Sequence, residues 1–154
     1  MKYVCTLIAV KDIEQSKKFY HDLLGQEVIE DLGANVTLTG GFALQTSKSW
    51  QGFIHKKESE IAYGNNDAEL YFEEDDIDGF MDKLNSFEVE YVHPLKEHSW
   101  GQCVVRFYDP DKHIIEVGEN MAVVVKRFID GGLTVEQTAL RMDVPVDYVK
   151  ALLA

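Results

Sequence analysis

The chain has 154 residues, 45% of them hydrophobic and 27% charged, which excludes disordered and collagen-like proteins and suits one globular domain. Its net charge of -12 argues against nucleic acid as a main partner, because a phosphate backbone would be repelled. The sequence shows no signal peptide and no membrane span, and Cys5 and Cys103 are too few for a disulfide scaffold. These features predict a cytoplasmic protein with reduced thiols.

The first 46 residues predict a strand, a helix and three further strands. Residues 3–10 are apolar and β-branched, as in a buried strand, and a helix is expected over 13–24, between an N-cap at Asp12 and a left-handed stop at Gly25. Glycines separate the next predicted strands, at 27–30, 35–39 and 42–46. In this βαβββ order the helix covers one face of the sheet and leaves the other free.

The segment 47–67 is long for a connection within a compact domain and has no clear periodicity. It contains the aromatic residues Trp50 and Phe53. Two interpretations stay open. The segment is either a lid over a ligand site, or an ordered surface crossover or dimer contact.

The βαβββ order then repeats in the second half of the chain. The dipeptides Asp12-Ile13 and Asp76-Ile77 mark the same strand-to-helix junction in both halves. The repeat consists of a strand at 69–73, a helix at 77–87 and strands at 89–92, 102–108 and 114–117. The predicted fold is therefore α+β, with tandem βαβββ modules (about 1–46 and 68–119) forming a curved mixed sheet with a cleft for a small-molecule ligand.

Residues 120–154 are predicted to be a helical C-terminal extension, following the main domain at 1–119. Three helical segments are split at Gly131-Gly132 and at Pro145, and Thr134 with Gln137 forms a capping box. The pattern is similar to a helix-turn-helix, but four basic and four acidic residues leave no basic surface for DNA. Packing against the rest of the chain or against a second subunit is the favoured role.

Two stretches carry a resemblance to a known family. "FYDPDKHIIEVGE" is similar to the closing strand pair of the vicinal oxygen chelate superfamily, and "VKDIEQSKKFYHDLLG" to its first strand-helix step. The superfamily includes glyoxalase I, bleomycin-resistance proteins and extradiol dioxygenases. The resemblance implies paired βαβββ modules over about residues 1–119, a homodimer as in many members, and a divalent metal, Zn, Ni, Co or Mn, in the cleft.

The resemblance also implies one metal ligand from each of four strands. By position these ligands fall on Cys5, Gln45, Glu69 and Glu116. The family commonly has His at the places of Cys5 and Glu69, so the two-His iron site of extradiol dioxygenases is not expected. With a metal bound, Glu116 or Glu69 would move a proton in a glyoxalase-like lyase or isomerase reaction on a small carbonyl compound.

Three of the four candidate ligands also have a structural interpretation. Glu116 can pair with Arg106 on the neighbouring strand, Glu69 can be an exposed strand start, and Cys5 can be a small buried apolar residue. The matching function is a non-catalytic small-molecule-binding protein of the bleomycin-resistance kind. The segment 93–102 either reaches the mouth of the cleft or forms a turn with an aromatic anchor.

Overall fold

The computed structural model describes all residues, Met1–Ala154, and its internal contacts divide the chain into two compact units. The first unit comprises Met1–Ala68 and Tyr108–His113, and the second Glu69–Phe107 and Ile114–Ala154. The predicted α+β fold with two βαβββ modules is confirmed, and the strands form two four-stranded mixed sheets.

The first unit follows the predicted βαβββ order. Its elements are β1 (Thr6–Val10), α1 (Ile13–Leu24), β2 (Val28–Asp31), β3 (Asn35–Leu38) and β4 (Phe42–Thr46). The strand order is β1-β4-β3-β2, with β1 parallel to β4. The helix α1 has the predicted ends, because the Asp12 side chain caps its first amides and Gly25 adopts a left-handed φ of 64°.

The helix α1 packs on one face of this sheet. The buried Tyr20 meets Phe42 edge to face, with 5.1 Å between ring centroids. Because side chains alternate along a strand, Leu44 shares the face of Phe42, whereas Ala43 and Gln45 lie on the opposite face.

The segment 47–67 contains regular structure that its sequence pattern did not indicate. A helix α2 (Ser47–Ile54) follows β4 directly, and a short 3-10 helix spans Glu58–Glu60. Two helical turns are too few for an amphipathic repeat to become visible in the sequence. The helix α2 packs against β1 and β4, so this part of the segment belongs to the first unit.

The second unit repeats the order with β5 (Glu69–Glu74), α3 (Ile77–Leu84), β6 (Tyr91–Glu97), β7 (Cys103–Tyr108) and β8 (Ile114–Glu119). Its strand order is β5-β8-β7-β6, with β5 parallel to β8. Phe80 of α3 stacks on Phe107 of β7 at 6.4 Å between centroids. Alternation along β7 then places Arg106 on the face opposite α3.

The strand β6 differs from its predicted course. It was expected at 89–92 with His93 in a following loop, but it spans Tyr91–Glu97 and contains both His93 and Pro94. Proline is tolerated because β6 is an edge strand, and two register shifts against β7 mark irregular pairing beside it. The structure therefore has an irregular edge strand where a loop was expected.

The C-terminal extension folds into three helices, α4 (Met121–Asp130), α5 (Val135–Met142) and α6 (Val146–Leu153). The predicted capping box between Thr134 and Gln137 is present at the start of α5. The three helices share one apolar core, built from Val124, Val125, Ala139, Met142 and Val149. None of the six α-helices has the length and apolar character that crossing a bilayer requires.

Candidate functional site

Four titratable side chains meet on the sheet face of the second unit that lies opposite α3. Arg106 of β7 is at their centre, and we call this surface the Arg106 face. Its Nε donates to Glu69 of β5 at 2.8 Å, and a terminal nitrogen donates to Glu116 of β8. Its other terminal nitrogen lies 3.2 Å from Nε2 of His93. The structure therefore contains the Glu116 to Arg106 pair that the structural interpretation of Glu116 required.

The two carboxylates of the Arg106 face differ in burial and in pKa. The Glu116 side chain is 8% exposed and that of Glu69 is 38% exposed. Burial, with a hydrogen bond to Glu69, raises the pKa of Glu116 to about 7 despite the attraction of Arg106. The hydrogen bond from Arg106 lowers the pKa of Glu69. Near neutral pH, Glu69 carries a charge and Glu116 exchanges a proton.

Tyr71 stands beside Glu116, because the two are register partners between β5 and β8. Its hydroxyl accepts a hydrogen bond from Gln102 at 3.0 Å and donates one to Glu73 at 3.0 Å. Burial raises the pKa of Tyr71 to about 12, so the phenol stays neutral at physiological pH. A Cβ at Gly118 would lie 2.8 Å from the Gln102 amide nitrogen, so this contact needs glycine in β8.

Gln45 lies in the first unit with both ends of its amide in use. Asn35 of β3 donates to its Oε1 at 2.7 Å, and its Nε2 donates to the Ser49 hydroxyl of α2. The side chain is 2% exposed. Gln45 thus links β4 to β3 and α2 within the first unit.

Cys5 precedes β1 and is half-buried. Thr6 pairs with Phe42, whereas Gln45 pairs with Ala9, three residues or about 10 Å further along the strand. Because Cys5 comes before Thr6, the thiol and the Gln45 amide lie at different levels of the sheet, too far apart to ligate one ion.

The donor chemistry does not fit the implied divalent metal. Of the four residues carried over by the resemblance, Glu69 and Glu116 do come together, but the guanidinium of Arg106 already supplies the cation between them. Gln45 is engaged elsewhere and Cys5 is out of its reach. Nowhere in the chain do three or more His, Cys, Asp or Glu side chains form a group that could hold a metal ion.

Three residues of the Arg106 face were not predicted as site residues, namely His93, Tyr71 and Arg106. Alternation along β5 puts Tyr71 on the same face as Glu69, and the sequence indicated Arg106 only as a structural partner of Glu116. His93 belongs to the segment 93–102, for which one of the two interpretations was a loop at the mouth of the cleft, whereas the structure places it in the strand β6.

A family model described as a glyoxalase-like domain matches residues 3–122. The chain belongs to the glyoxalase-like domain family. The resemblance to the vicinal oxygen chelate superfamily is thereby confirmed. No curated protein matches this glyoxalase-like chain.

Among solved structures, a protein of unknown function from Agrobacterium tumefaciens is 43% identical, with a TM-score of 0.71, and the match covers 78% of this chain and 94% of that one. A glyoxalase-related enzyme from Fulvimarina pelagi is 19% identical at a TM-score of 0.61, over 76% of this chain and 88% of that one. A glyoxalase/bleomycin resistance protein/dioxygenase family enzyme from Burkholderia phytofirmans is 15% identical, with a TM-score of 0.65, and the match covers 75% of this chain and 96% of that one. The last two share the fold. The helices α5 and α6 lie beyond the family model.

Proposed function

We propose that this glyoxalase-like protein is an isomerase that moves a proton next to the carbonyl of a small molecule, with Glu116 as the proton carrier and no metal ion. The observation that supports this proposal is the placement of Glu116, which is buried beside Glu69 and paired with Arg106; the burial raises its pKa to about 7. A general base or acid is most effective when its pKa lies near the working pH.

In the proposed reaction, ionised Glu116 removes a proton from the carbon beside the carbonyl. The C–H bond breaks, an O–H bond forms on Glu116, and the electron pair moves to the carbonyl oxygen to give an enolate. The negative charge thus passes from Glu116 to the ligand, and Arg106, which already faces Glu116, stabilises it in both places. For a hydroxyketone, Glu116 then returns the proton to the former carbonyl carbon while the hydroxyl proton moves to the former carbonyl oxygen, which completes the isomerisation.

Deuterium exchange tests this function directly. Small 2-oxo acids, hydroxyketones and 2-methyl acyl thioesters would be incubated with the protein in D2O, and deuterium beside the carbonyl would be measured by mass spectrometry. We expect exchange with one of these classes, rising with pH through about 7 as Glu116 ionises. It should fall at least ~100-fold in Glu116→Gln, in line with the loss of a general base, and persist in chelator. Absence of exchange with every class would overturn the isomerase proposal.

A non-catalytic binding function is the second candidate, and the charge balance of the Arg106 face favours it. Glu69 and Glu116 together exceed the single charge of Arg106 once both are ionised, and the whole chain carries -12. Such a surface would attract a cationic small molecule. A cationic ligand that raises the melting temperature without any exchange would favour this candidate.

A further inference from the structure

The helical extension contacts the rest of the second unit through two arginines. We propose that Arg127 of α4 and Arg141 of α5 are positioning residues, which fix the loop between β6 and β7, residues 98–102, so that Gln102 holds Tyr71 beside Glu116. The extension would then help to hold the side chains of the Arg106 face in place. This proposal concerns the free protein and does not depend on the isomerase function.

Arg127 ties α4 to the start of β7. Its guanidinium donates to the Glu119 carboxylate and to the backbone carbonyl of Gly101. Glu119 is 3% exposed, and its other oxygen accepts from the backbone amide of Cys103 at 2.7 Å. Arg127 thus balances a buried charge that itself fixes the first residue of β7.

Arg141 ties α5 to the same loop from the other side. Its guanidinium donates to the backbone carbonyl of Ser99 and, at 3.3 Å, to the carboxylate of Glu97. Phe128 lies under both arginines, at 5.3 Å from Arg141 and 5.8 Å from Arg127. The loop follows Phe128 closely, since a Cβ at Gly101 would lie 2.2 Å from its ring.

Gln102, the last residue of the loop, connects the loop to the sheet by hydrogen bonds. It is 5% exposed, its Oε1 accepts from the indole of Trp100 at 3.1 Å, and Trp100 packs against the apolar core of the extension. Its Nε2 donates to the backbone carbonyl of Glu119 at 2.8 Å and to the hydroxyl of Tyr71 at 3.0 Å. Because Gln102 makes Tyr71 an acceptor, the phenol proton is directed to Glu73.

The four basic residues of the extension divide into two pairs with different partners. Lys126 and Lys150 pair with acids of their own helices, Asp130 and Asp147. Arg127 and Arg141 instead reach acids and carbonyls of the sheet and its loop. This division provides matched controls, since the lysine variants remove a charge without touching the loop.

NMR of the free protein tests the proposal, with tyrosine labelled at Cζ with 13C and the Tyr71 resonance assigned from Tyr71→Phe. We expect Arg127→Ala and Arg141→Ala to move this resonance in the direction that Gln102→Leu moves it, and Lys126→Ala to leave it in place. Amide exchange at Cys103 should speed up at least about tenfold in Arg127→Ala, the effect of losing one charge-assisted hydrogen bond.

A merely structural role would lower the melting temperature without moving the Tyr71 resonance, and that result would overturn the proposal. If Arg127→Ala does not fold because Glu119 is left buried and unpaired, Arg141→Ala decides the question, since Arg141 is 40% exposed. An unchanged Tyr71 resonance in folded Arg141→Ala and in the double variant Arg127→Ala with Glu119→Gln contradicts the proposal. Failure of the isomerase function would leave these readings unaffected.

Discussion

The two units share one topology but carry opposite chemistry on the sheet face away from α1 or α3. In the first unit this face holds Gln45, a neutral amide satisfied by Asn35 and by Ser49 of α2. In the second unit the corresponding face holds Arg106 between two carboxylates. The βαβββ order therefore fixes where side chains stand, and the residue types at those places decide whether the face can exchange protons.

The difference also predicts how each face responds to solution conditions. An amide network has no titratable group, so its contribution to stability is independent of pH. The Arg106 face contains a carboxyl whose pKa is raised to about 7 and another whose pKa is lowered, so its charge changes within the physiological range.

Arg106→Ala should have the largest effect. It leaves the buried Glu116 and its neighbour Glu69 without a counter-charge, which should lower the free energy of unfolding by about 3 kcal/mol. Urea denaturation measures this change. Lys17→Ala is the control, since Lys17 pairs only with exposed acids in the first unit and should lower the free energy of unfolding far less than Arg106→Ala does. Equal losses of unfolding free energy in both variants would mean that the buried ion pair stabilises the fold no more than an exposed one.

Gln45→Ala should have the next largest effect. It should lower the free energy of unfolding by about 2 kcal/mol, because Asn35 and Ser49 each lose a hydrogen-bond partner in a buried setting. The titration of Glu116 should stay unchanged in this variant. A loss of ligand binding with unaltered stability would instead make Gln45 a binding residue, as the family resemblance implied.

The pH dependence of stability should separate the two faces further. The pKa of Glu116 in the folded protein, about 7, lies above its ordinary value of 4.5. Protonated Glu116 therefore contributes to the stability of the fold, and this contribution is fully present below about pH 4.5 and is lost as pH rises through 7. One proton limits the slope to about 1.4 kcal/mol per pH unit. The melting temperature of wild type should fall between pH 5.5 and 8 relative to Glu116→Gln, and parallel curves would contradict this.

Added metal should have the smallest effect. Zn, Ni, Co or Mn should leave the melting temperature of wild type within about 1 °C, since an ion that does not bind the folded state cannot stabilise it. Elemental mass spectrometry of freshly purified protein is the matching measurement. One equivalent of metal in wild type, lost in Glu116→Gln, would return Glu116 to the role of a metal ligand.

The sequence was sufficient for the module order and for the ends of α1, because Asp12 and Gly25 leave strong local signals. It also identified Arg106 as a partner for Glu116. The separation of Cys5 from Gln45 could not be predicted, since it depends on the register of β1 against β4. The contacts of Arg127 with Gly101, and of Arg141 with Ser99 and Glu97, could not be predicted either, because they join residues 26 or more positions apart without a local sequence pattern.

The central claim is that Glu116 holds a proton at near-neutral pH because it is buried beside Glu69 on the Arg106 face. Carboxyl 13C NMR of glutamate-labelled protein, with the Glu116 resonance assigned from Glu116→Gln, measures this directly. We predict a titration midpoint of about 7 for Glu116 and one below the ordinary 4.5 for Glu69. A midpoint for Glu116 at or below 4.5 would show a permanently ionised partner of Arg106 and would contradict the proposed proton transfer.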